Sequence, residues 1–370
     1  MKIIVTGTRG FPNVQGGIET HCENLYPNVV NAGCDVTVIT RKAYVDPTVE
    51  QYKGVKLVAL WTPKKKFLET IFHTFFSIFK AKTLGCDILH IHAVGPALLV
   101  PLARLLGVKT VMTNHGPDYD RQKWGRASKL ILRLGEFLGS KFSNKVISIS
   151  QPITDNLNHK YNCTAATIPN GVRIPVPAKT KVALTNFGLN QQKYILTVGR
   201  FVPEKGFIDL INAFNLSGLY HSGCQLVIVG DADHEDRYSL ALKQKAVKNK
   251  NIILTGFQKG TALHELFSHA GLFVLPSYHE GLPIVLLEAM SYGLSCIVSD
   301  IPANRNVGLP DERHFSPGDI NSMSDKLSIF AGKDFIGNER DLQIDKIRKN
   351  YNWETIARET VEIYQNVLNR

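Results

Sequence analysis

Leu272–Met290 reads LFVLPSYHEGLPIVLLEAM. Leu272–Leu275 is a four-residue apolar run of buried-strand character, and Pro276–Gly281 is a loop. From Pro283, a residue well suited to a first helical turn, a helical pattern runs to Met290. Strand, loop and helix follow one another without slack, and the rest of the chain repeats this rhythm. In the first half the apolar runs are Ile3–Thr6, Val36–Thr40, Lys56–Leu60, Ile88–His92, Thr110–Thr113 and Lys145–Ile149. In the second they are Tyr194–Val198, Gln225–Val229, Ile252–Leu254, Leu272–Leu275 and Cys296–Ser299. Short apolar strands alternating with helices imply parallel sheets covered on both faces.

The 370 residues exceed one typical core. Two prolines within Ile174–Ala178 break any helix or inner strand and mark a hinge. The expected architecture is α/β: two doubly wound, Rossmann-like domains facing across a cleft. They cover residues 1–175 and 176–352, and a closing helix, 353–370, packs back toward the N-terminal domain. Ligands of open parallel sheets sit at the carboxyl ends of strands, so the loops there are the candidates.

Composition narrows the function. Met1–Gly7 lacks the pattern of a signal peptide, and the longest apolar region, His92–Val108, holds Pro96, Pro101 and Arg104, which argues against a membrane span. Six scattered cysteines without a CxxC pair read as reduced thiols of a cytoplasmic protein. Residues 1–180 carry 23 Lys and Arg against 11 Asp and Glu, whereas residues 181–370 carry 20 against 21. The whole excess of the net +11 therefore lies in the first half, which should face something anionic. A nucleic acid would need exposed aromatics among the bases or a known module, and neither is found. Residues 64–82, opening with three lysines and spacing Leu68, Ile71, Phe72, Phe75, Phe76 and Phe79 at three and four, are amphipathic. They suit an anionic membrane surface or a core helix on the sheet.

Four loops carry the chemistry. Gly16-Gly17 precede a helical pattern after the first strand, where backbone N–H groups can meet a phosphate, though without the GxGxxG spacing of a nicotinamide site. Arg200 and Lys205 follow the first strand of the second half and could neutralise a diphosphate. Glu280 could contact a sugar hydroxyl, with the N–H groups of Gly281 and Leu282, ahead of Pro283, near phosphate. Glu288 lies among Leu286, Leu287 and Ala289, where a buried carboxylate needs a partner such as a ribose diol. His115, after a strand of the first half, could hydrogen-bond a hydroxyl or shuttle a proton. His90 and His92 lie within a strand and read as packed or capping. Asp231-Ala232-Asp233 lacks an evident third metal ligand, and His264 and His269 are spaced wrongly to share a helix face.

In this order and spacing the residues resemble glycosyltransferase family 4, the retaining group with the GT-B fold. The resemblance rests on Gly16-Gly17, the Arg200/Lys205 pair, and Glu280 and Glu288 with seven residues between, followed by Ala289-Met290. The start, TRGFPNVQGGIETH, looks like a bacterial subgroup that builds O-antigen and capsule repeats. The resemblance implies that Arg200 and Lys205 hold the donor diphosphate, Glu288 the ribose and Glu280 the transferred sugar. Gly281, Leu282 and Pro283 lie at the phosphate, Gly17 beside the diphosphate and His115 on the O6 side of the sugar. His115, Glu280, Arg200 and Lys205 form the catalytic set. No metal or other cofactor is implied; the donor, a UDP-sugar by the frequency of UDP in the family, is a substrate. The implied acceptor is an undecaprenyl-diphosphate-linked glycan, with the protein peripheral on an anionic membrane at the inner face of the cell. A sugar-nucleotide epimerase of the same fold and a non-enzymatic nucleotide-sugar-binding protein are the alternatives. The segment Asp300–Asn306 departs from the family pattern of Gly-Gly followed by Glu, and no donor contact is assigned to it.

Overall fold

The computed structural model describes residues 1–14, 16–63, 66–116, 119, 125–232, 234–333 and 335–369, and of residues 66 and 67 the backbone alone. Lys64 and Lys65 of the basic run, Pro117 and Asp118 beyond His115, and Asp233 lie outside the described residues. The chain forms two compact units, one of Met1–Gly171 with Tyr351–Arg370 and one of Val172–Asn350. It leaves the first unit just ahead of the Ile174–Ala178 segment and returns just ahead of Trp353.

The first unit holds an eight-stranded sheet. Its strands are β1 (Lys2–Thr6), β2 (Asp35–Arg41), β3 (Gln51–Tyr52), β4 (Val55–Leu60), β5 (Ile88–His92), β6 (Thr110–Asn114), β7 (Lys145–Ser148) and β8 (Ala166–Thr167). They run in the order β3-β4-β2-β1-β5-β6-β7-β8. Every pairing is parallel except that of β3 with β4. The helices are α1 (Gly17–Asn31), α2 (Lys66–Thr83), α3 (Val94–Ala97), α4 (Val100–Leu105), α5 (Arg126–Phe142) and α6 (Gln151–Tyr161), with the C-terminal helix Trp353–Leu368.

Alternate strand residues feed opposite faces, as the two-residue period requires. Ile3, Val5, Val36 and Val38 meet α1 and the C-terminal helix through Leu25, Tyr26, Val29, Trp353, Ile356 and Tyr364. Ile4, Ile39, Leu89 and Ile91 meet the other layer through Ile78, Ala81, Val94, Ala97 and Leu132. The two-residue strands β3 and β8 escaped the sequence reading because they are too short to show a period. In α2 the orientation is unusual. Ile78 and Ala81 face the core, but so do His73, Thr74 and Ser77, each fully buried, while Leu68, Phe72, Phe75, Phe76 and Phe79 are exposed.

The second unit holds a six-stranded, wholly parallel sheet. Its strands are β9 (Tyr194–Val198), β10 (Gln225–Val229), β11 (Ile252–Gly256), β12 (Leu272–Leu275), β13 (Cys296–Ser299) and β14 (His314–Phe315), in the order β11-β10-β9-β12-β13-β14. Its helices are α7 (Val182–Phe187), α8 (Phe207–Ser217), α9 (Arg237–Ala246), α10 (Gly260–His269), α11 (Ile284–Ser291), α12 (Pro302–Val307), α13 (Ile320–Phe330) and α14 (Asn338–Asn350). Counted from its own first strand, the order is that of a doubly wound dinucleotide fold, with the switch point between β9 and β12. In the first sheet the equivalent reversal lies between β1 and β5. Both units are thus Rossmann-like.

Within the first unit, Trp353 anchors the returning chain. A Cβ on Gly171 would meet its ring at 2.5 Å, and the His21 ring packs edge-on against it at 5.6 Å. Replacing Trp353 with Ala should cost the first unit about 3 kcal/mol, as for other large-to-small core changes. Urea unfolding followed by circular dichroism would read the loss. An unchanged transition would show that the C-terminal helix is not a structural part of that unit.

Candidate functional site

In the second unit the site residues gather at the β9/β12 switch point. Arg200 follows β9, and Lys205 ends a single 3-10 turn, Pro203–Lys205. Gly206 then takes φ 65°, and a Cβ there would strike the Pro276 carbonyl oxygen at 2.4 Å. Glycine is what lets the β9–α8 loop lie against the β12–α11 loop. Backbone joins them as well, Tyr278 N donating to Glu204 O at 2.8 Å.

The side chains follow from that contact. Lys205 Nζ donates to Glu280 Oε1 at 2.5 Å, and Ser277 Oγ donates to the same oxygen at 2.6 Å. Both ionic partners are mostly shielded, with side-chain exposures of 20% and 13%. Gly281 is partly buried, Leu282 and Pro283 are buried, and Pro283 caps α11. Glu288, one turn into α11, keeps some solvent contact as a residue, and its carboxylate makes no hydrogen bond or ion pair to a described residue. Burial pushes its carboxyl up to about 7. The structure therefore brings Lys205 and Glu280 together and places Arg200, the 281–283 turn and Glu288 on the two loops and helix that meet there.

Sequence reasoning missed the support behind Glu280. Ser299, at the end of β13, donates through Oγ to the Ser277 carbonyl. Asn304 Nδ2, fully buried on α12, donates to Ser299 O and Oγ at 2.9 and 3.0 Å. The segment that departs from the family pattern thus buttresses the Glu280 loop through Asn304. The polar pair Ser299 and Asn304, five apart across a strand end, was the available signal. The dismissed motifs have other partners. Asp231 pairs with Lys243 at 3.2 Å, His264 bonds the Tyr292 hydroxyl and His269 bonds the Thr180 carbonyl.

In the first unit, Gly17 opens α1, and a Cβ on it would meet nothing within 4 Å. Gly16 is different: at φ 150° its Cβ would meet Glu19 Oε2 at 2.1 Å, where Glu19 pairs with Arg9 at 3.1 Å. His115 Nε2 lies 2.9 Å from His92 Nδ1. The His92 Nε2 in turn bonds the Tyr26 hydroxyl. His90 touches Tyr26, Tyr364 and Thr113, so the strand histidines are buried network members rather than simple packing. His21 bonds Asn170 Oδ1 at 2.8 Å. Burial lowers His21 to about 4 and His90 to about 3, and drives His92 well below its ordinary value. These imidazoles are neutral at physiological pH. Among the described residues, His21, His92 and His115 are the group whose ligand atoms converge within 4.8 Å and could hold a metal ion. A shallow cavity of about 350 Å³ lies at the carboxyl ends of β2 and β4, lined by Lys42, Ala43, Trp61 and Thr62.

Residues 15–174 match the family described as Glycosyltransferase Family 4, and residues 186–343 match Glycosyl transferases group 1. An uncharacterized glycosyltransferase of Methanocaldococcus jannaschii is 27% identical over 99% of this chain and 98% of its own length. The UDP-Gal:alpha-D-GlcNAc-diphosphoundecaprenol alpha-1,3-galactosyltransferase of Escherichia coli is 29% identical over 59% of each chain. Among solved structures, sucrose-phosphate synthase from Thermosynechococcus elongatus superposes with a TM-score of 0.81 at 19% identity, covering 100% of this chain and 99% of that one. The fold is GT-B.

Glu288 yields a pH test. Its folded carboxyl holds a proton up to about 7, whereas an unfolded Glu titrates near 4.5. The folded state therefore binds more protons between these values, and the stability present below about 4.5 is lost as pH rises through 7. Glu288→Gln should match wild type at pH 4 and exceed it by about 3 kcal/mol at pH 8 in urea unfolding without nucleotide. Equal stability at both pH values would mean the carboxyl is solvated.

Proposed function

The chain is a family 4 glycosyltransferase, and we propose that it moves one sugar from a UDP-sugar to a glycan linked through a diphosphate to a membrane lipid, in bacterial surface-polysaccharide synthesis. The observation that carries the donor half is the Lys205–Glu280 pair at the β9/β12 switch point, together with the Glu288 carboxylate on α11, which has no hydrogen-bond partner among the described residues. The acceptor half draws on the diphosphoundecaprenol-linked acceptor named for the E. coli relative and on the basic first half.

In this reading Arg200 and Lys205 take the diphosphate, Arg200 as a fork and Lys205 as a point charge. Arrival of the phosphate draws Lys205 from Glu280, whose carboxylate then accepts from a sugar hydroxyl while Ser277 still holds one oxygen. The N–H groups of Gly281 and Leu282 face phosphate, with Pro283 setting their direction. The ribose diol donates to Glu288. A hydrogen bond to the charged carboxylate lowers its affinity for protons, opposing the effect of burial. Gly17, whose lack of a side chain no neighbouring atom requires, admits the diphosphate to the N-terminus of α1. His115 meets the sugar on its O6 side.

As the glycosidic bond between the anomeric carbon and phosphate oxygen breaks, negative charge grows on the nucleoside diphosphate. The two cations stabilise it without a metal. The acceptor oxygen bonds the anomeric carbon on the face the phosphate leaves, and its proton passes to that phosphate. The products are a retained glycoside and the nucleoside diphosphate. Trp61, exposed beside Lys42, offers the acceptor's sugar an aromatic platform. The protein works at the cytoplasmic face of the membrane, held there peripherally.

Calorimetric titration with UDP, GDP, dTDP and CMP, with and without magnesium, tests the donor half. UDP should bind without metal, and Glu288→Ala should weaken it by about 1–3 kcal/mol. Binding of no diphosphate overturns the reading. For transfer from UDP-sugars to a detergent-dissolved GlcNAc-diphospholipid, Glu280→Gln should lower kcat by roughly 100-fold. Trp61→Ala should raise the acceptor KM about tenfold and leave UDP affinity unchanged. A Trp61→Ala enzyme with unaltered acceptor KM removes that residue from the acceptor's path.

A further inference from the structure

The surface of the first unit carries an observation that the donor chemistry does not use. A helix on a soluble domain turns its apolar stripe inward, yet α2 turns His73, Thr74 and Ser77 inward and five large apolar side chains outward. Its rings form a contiguous strip, Phe75 standing 5.6 Å from Phe76 and 4.9 Å from Phe79, with Phe72 6.3 Å from Phe76. Nor is α2 alone. On α5, Leu130, Leu134, Phe137 and Phe142 are exposed, Leu130 at 69%. The two helices flank α3 on the same layer: a Cβ added at Gly95 of α3 would lie 3.6 Å from both Thr70 of α2 and Leu132 of α5.

Charge identifies the occupant. The only carboxylates on the described residues of α2 and α5 are Glu69 and Glu136, and both are buried. Glu69 pairs with Arg41, and Glu136 is held by Lys160, Asn114, Tyr119 and Tyr161. What remains outward on α5 besides the apolar residues includes Arg126, Arg133 and Lys141, while Lys82 lies outward on α2. A face of phenylalanine and leucine flanked by bases, with no exposed acid among the described residues of α2 and α5, matches an interface rich in anionic headgroups. A second copy would set bases against bases, which disfavours self-association through this face.

We propose that α2 and α5 form one two-helix docking face for a bilayer containing anionic lipid. α2 supplies a phenylalanine strip that enters the headgroup boundary. α5 supplies both apolar and cationic contacts, so the bilayer meets the α2–α5 layer of the sheet and not the layer of α1 and the C-terminal helix. The inference deepens the peripheral location in the proposed function by naming the surface responsible.

Flotation of the full-length protein with phosphatidylethanolamine–phosphatidylglycerol vesicles tests it, beside pure phosphatidylcholine vesicles. The variants are Phe75→Gln/Phe79→Gln on α2, Leu130→Gln/Phe137→Gln on α5, and Arg133→Glu/Lys141→Glu. Each pair should lower vesicle binding about tenfold, and phosphatidylcholine or 0.5 M salt should lower wild-type binding likewise. UDP affinity should stay unchanged in all three, which confirms that they fold. Wild-type binding by both α5 variants overturns the two-helix face, and equal binding to phosphatidylcholine overturns the anionic partner. A wild-type dimer that the α2 and α5 variants dissolve would make the face a self-interface and also overturn the proposal. Transfer to the detergent-dissolved acceptor is scored separately. Transfer without vesicle binding sinks this inference alone, and vesicle binding without transfer sinks only the acceptor reading.

Discussion

Parallel hydrogen-bonded strands impose the constraint on which everything else here depends. Each strand must be followed by a crossover that returns the chain to the sheet's starting edge, so every strand-to-helix loop falls on one edge. Where the strand order reverses, two such loops diverge and leave room between them. In the second unit that reversal sets the loop after β9 against the loop after β12, which is why Lys205 and Glu280, 75 residues apart, come within 2.5 Å. The pairing is made possible by glycine at 206, where any side chain would run into Pro276, and is supported by Asn304 and Ser299 from the next strand outward.

In the proposed function the electrostatics of that edge serve an exchange of partners. An ion pair that is partly shielded from water gives little net stability, because desolvation offsets the attraction. Lys205 and Glu280 have already lost much of their water to each other and to Ser277. An anion that displaces Glu280 from Lys205 therefore meets a cation largely stripped of solvent and fixed in direction, and little reorganisation remains for the reacting state. Glu288 shows the opposite condition. With no described partner and its carboxyl pushed up to about 7, it is a cost to the empty fold that a pair of hydroxyl donors would remove.

Much of this was legible from composition and order. The apolar runs located the longer strands, since four or five consecutive β-branched and aliphatic residues leave few other options, and the acidic and basic residues of the strand-end loops named themselves by position. Three things were not legible. The strands β3, β8 and β14 have two residues each and no period. Asn304 acts through Ser299 on a loop more than twenty residues earlier, a relation only tertiary structure reveals. The hydrophobic period of α2 identified an amphipathic helix but could not say which face turned inward. The buried His73, Thr74 and Ser77 decide it, and Ser77 satisfies its hydroxyl locally by donating to the His73 carbonyl at 2.7 Å, a bond that sequence spacing alone allows but does not require.

Three buried acids of the first unit sharpen the basic character of two of its helices. Glu19, Glu69 and Glu136 are all buried, and each pairs with a base from another element or loop: Arg9, Arg41 and Lys160. Such pairs contribute little to stability once desolvation is counted, so their effect is better sought in geometry. Arg9 and Glu19 meet where Gly16 has no side chain, which fixes the loop ahead of α1. Arg41 and Glu69 tie the end of β2 to the first turns of α2. Lys160 and Glu136 tie α6 to α5, while Asn114, also on Glu136, accepts the backbone N–H of Gly116 just beyond His115. The carboxylates of the described residues of α2 and α5, Glu69 and Glu136, are thus spent inside on positioning, while the exposed acids of the unit, such as Asp35, Asp87 and Asp155, lie on other elements. The outward faces of α2 and α5 are left to bases and apolar rings, so the internal ion pairs and the external charge pattern follow from a single allocation of acidic residues.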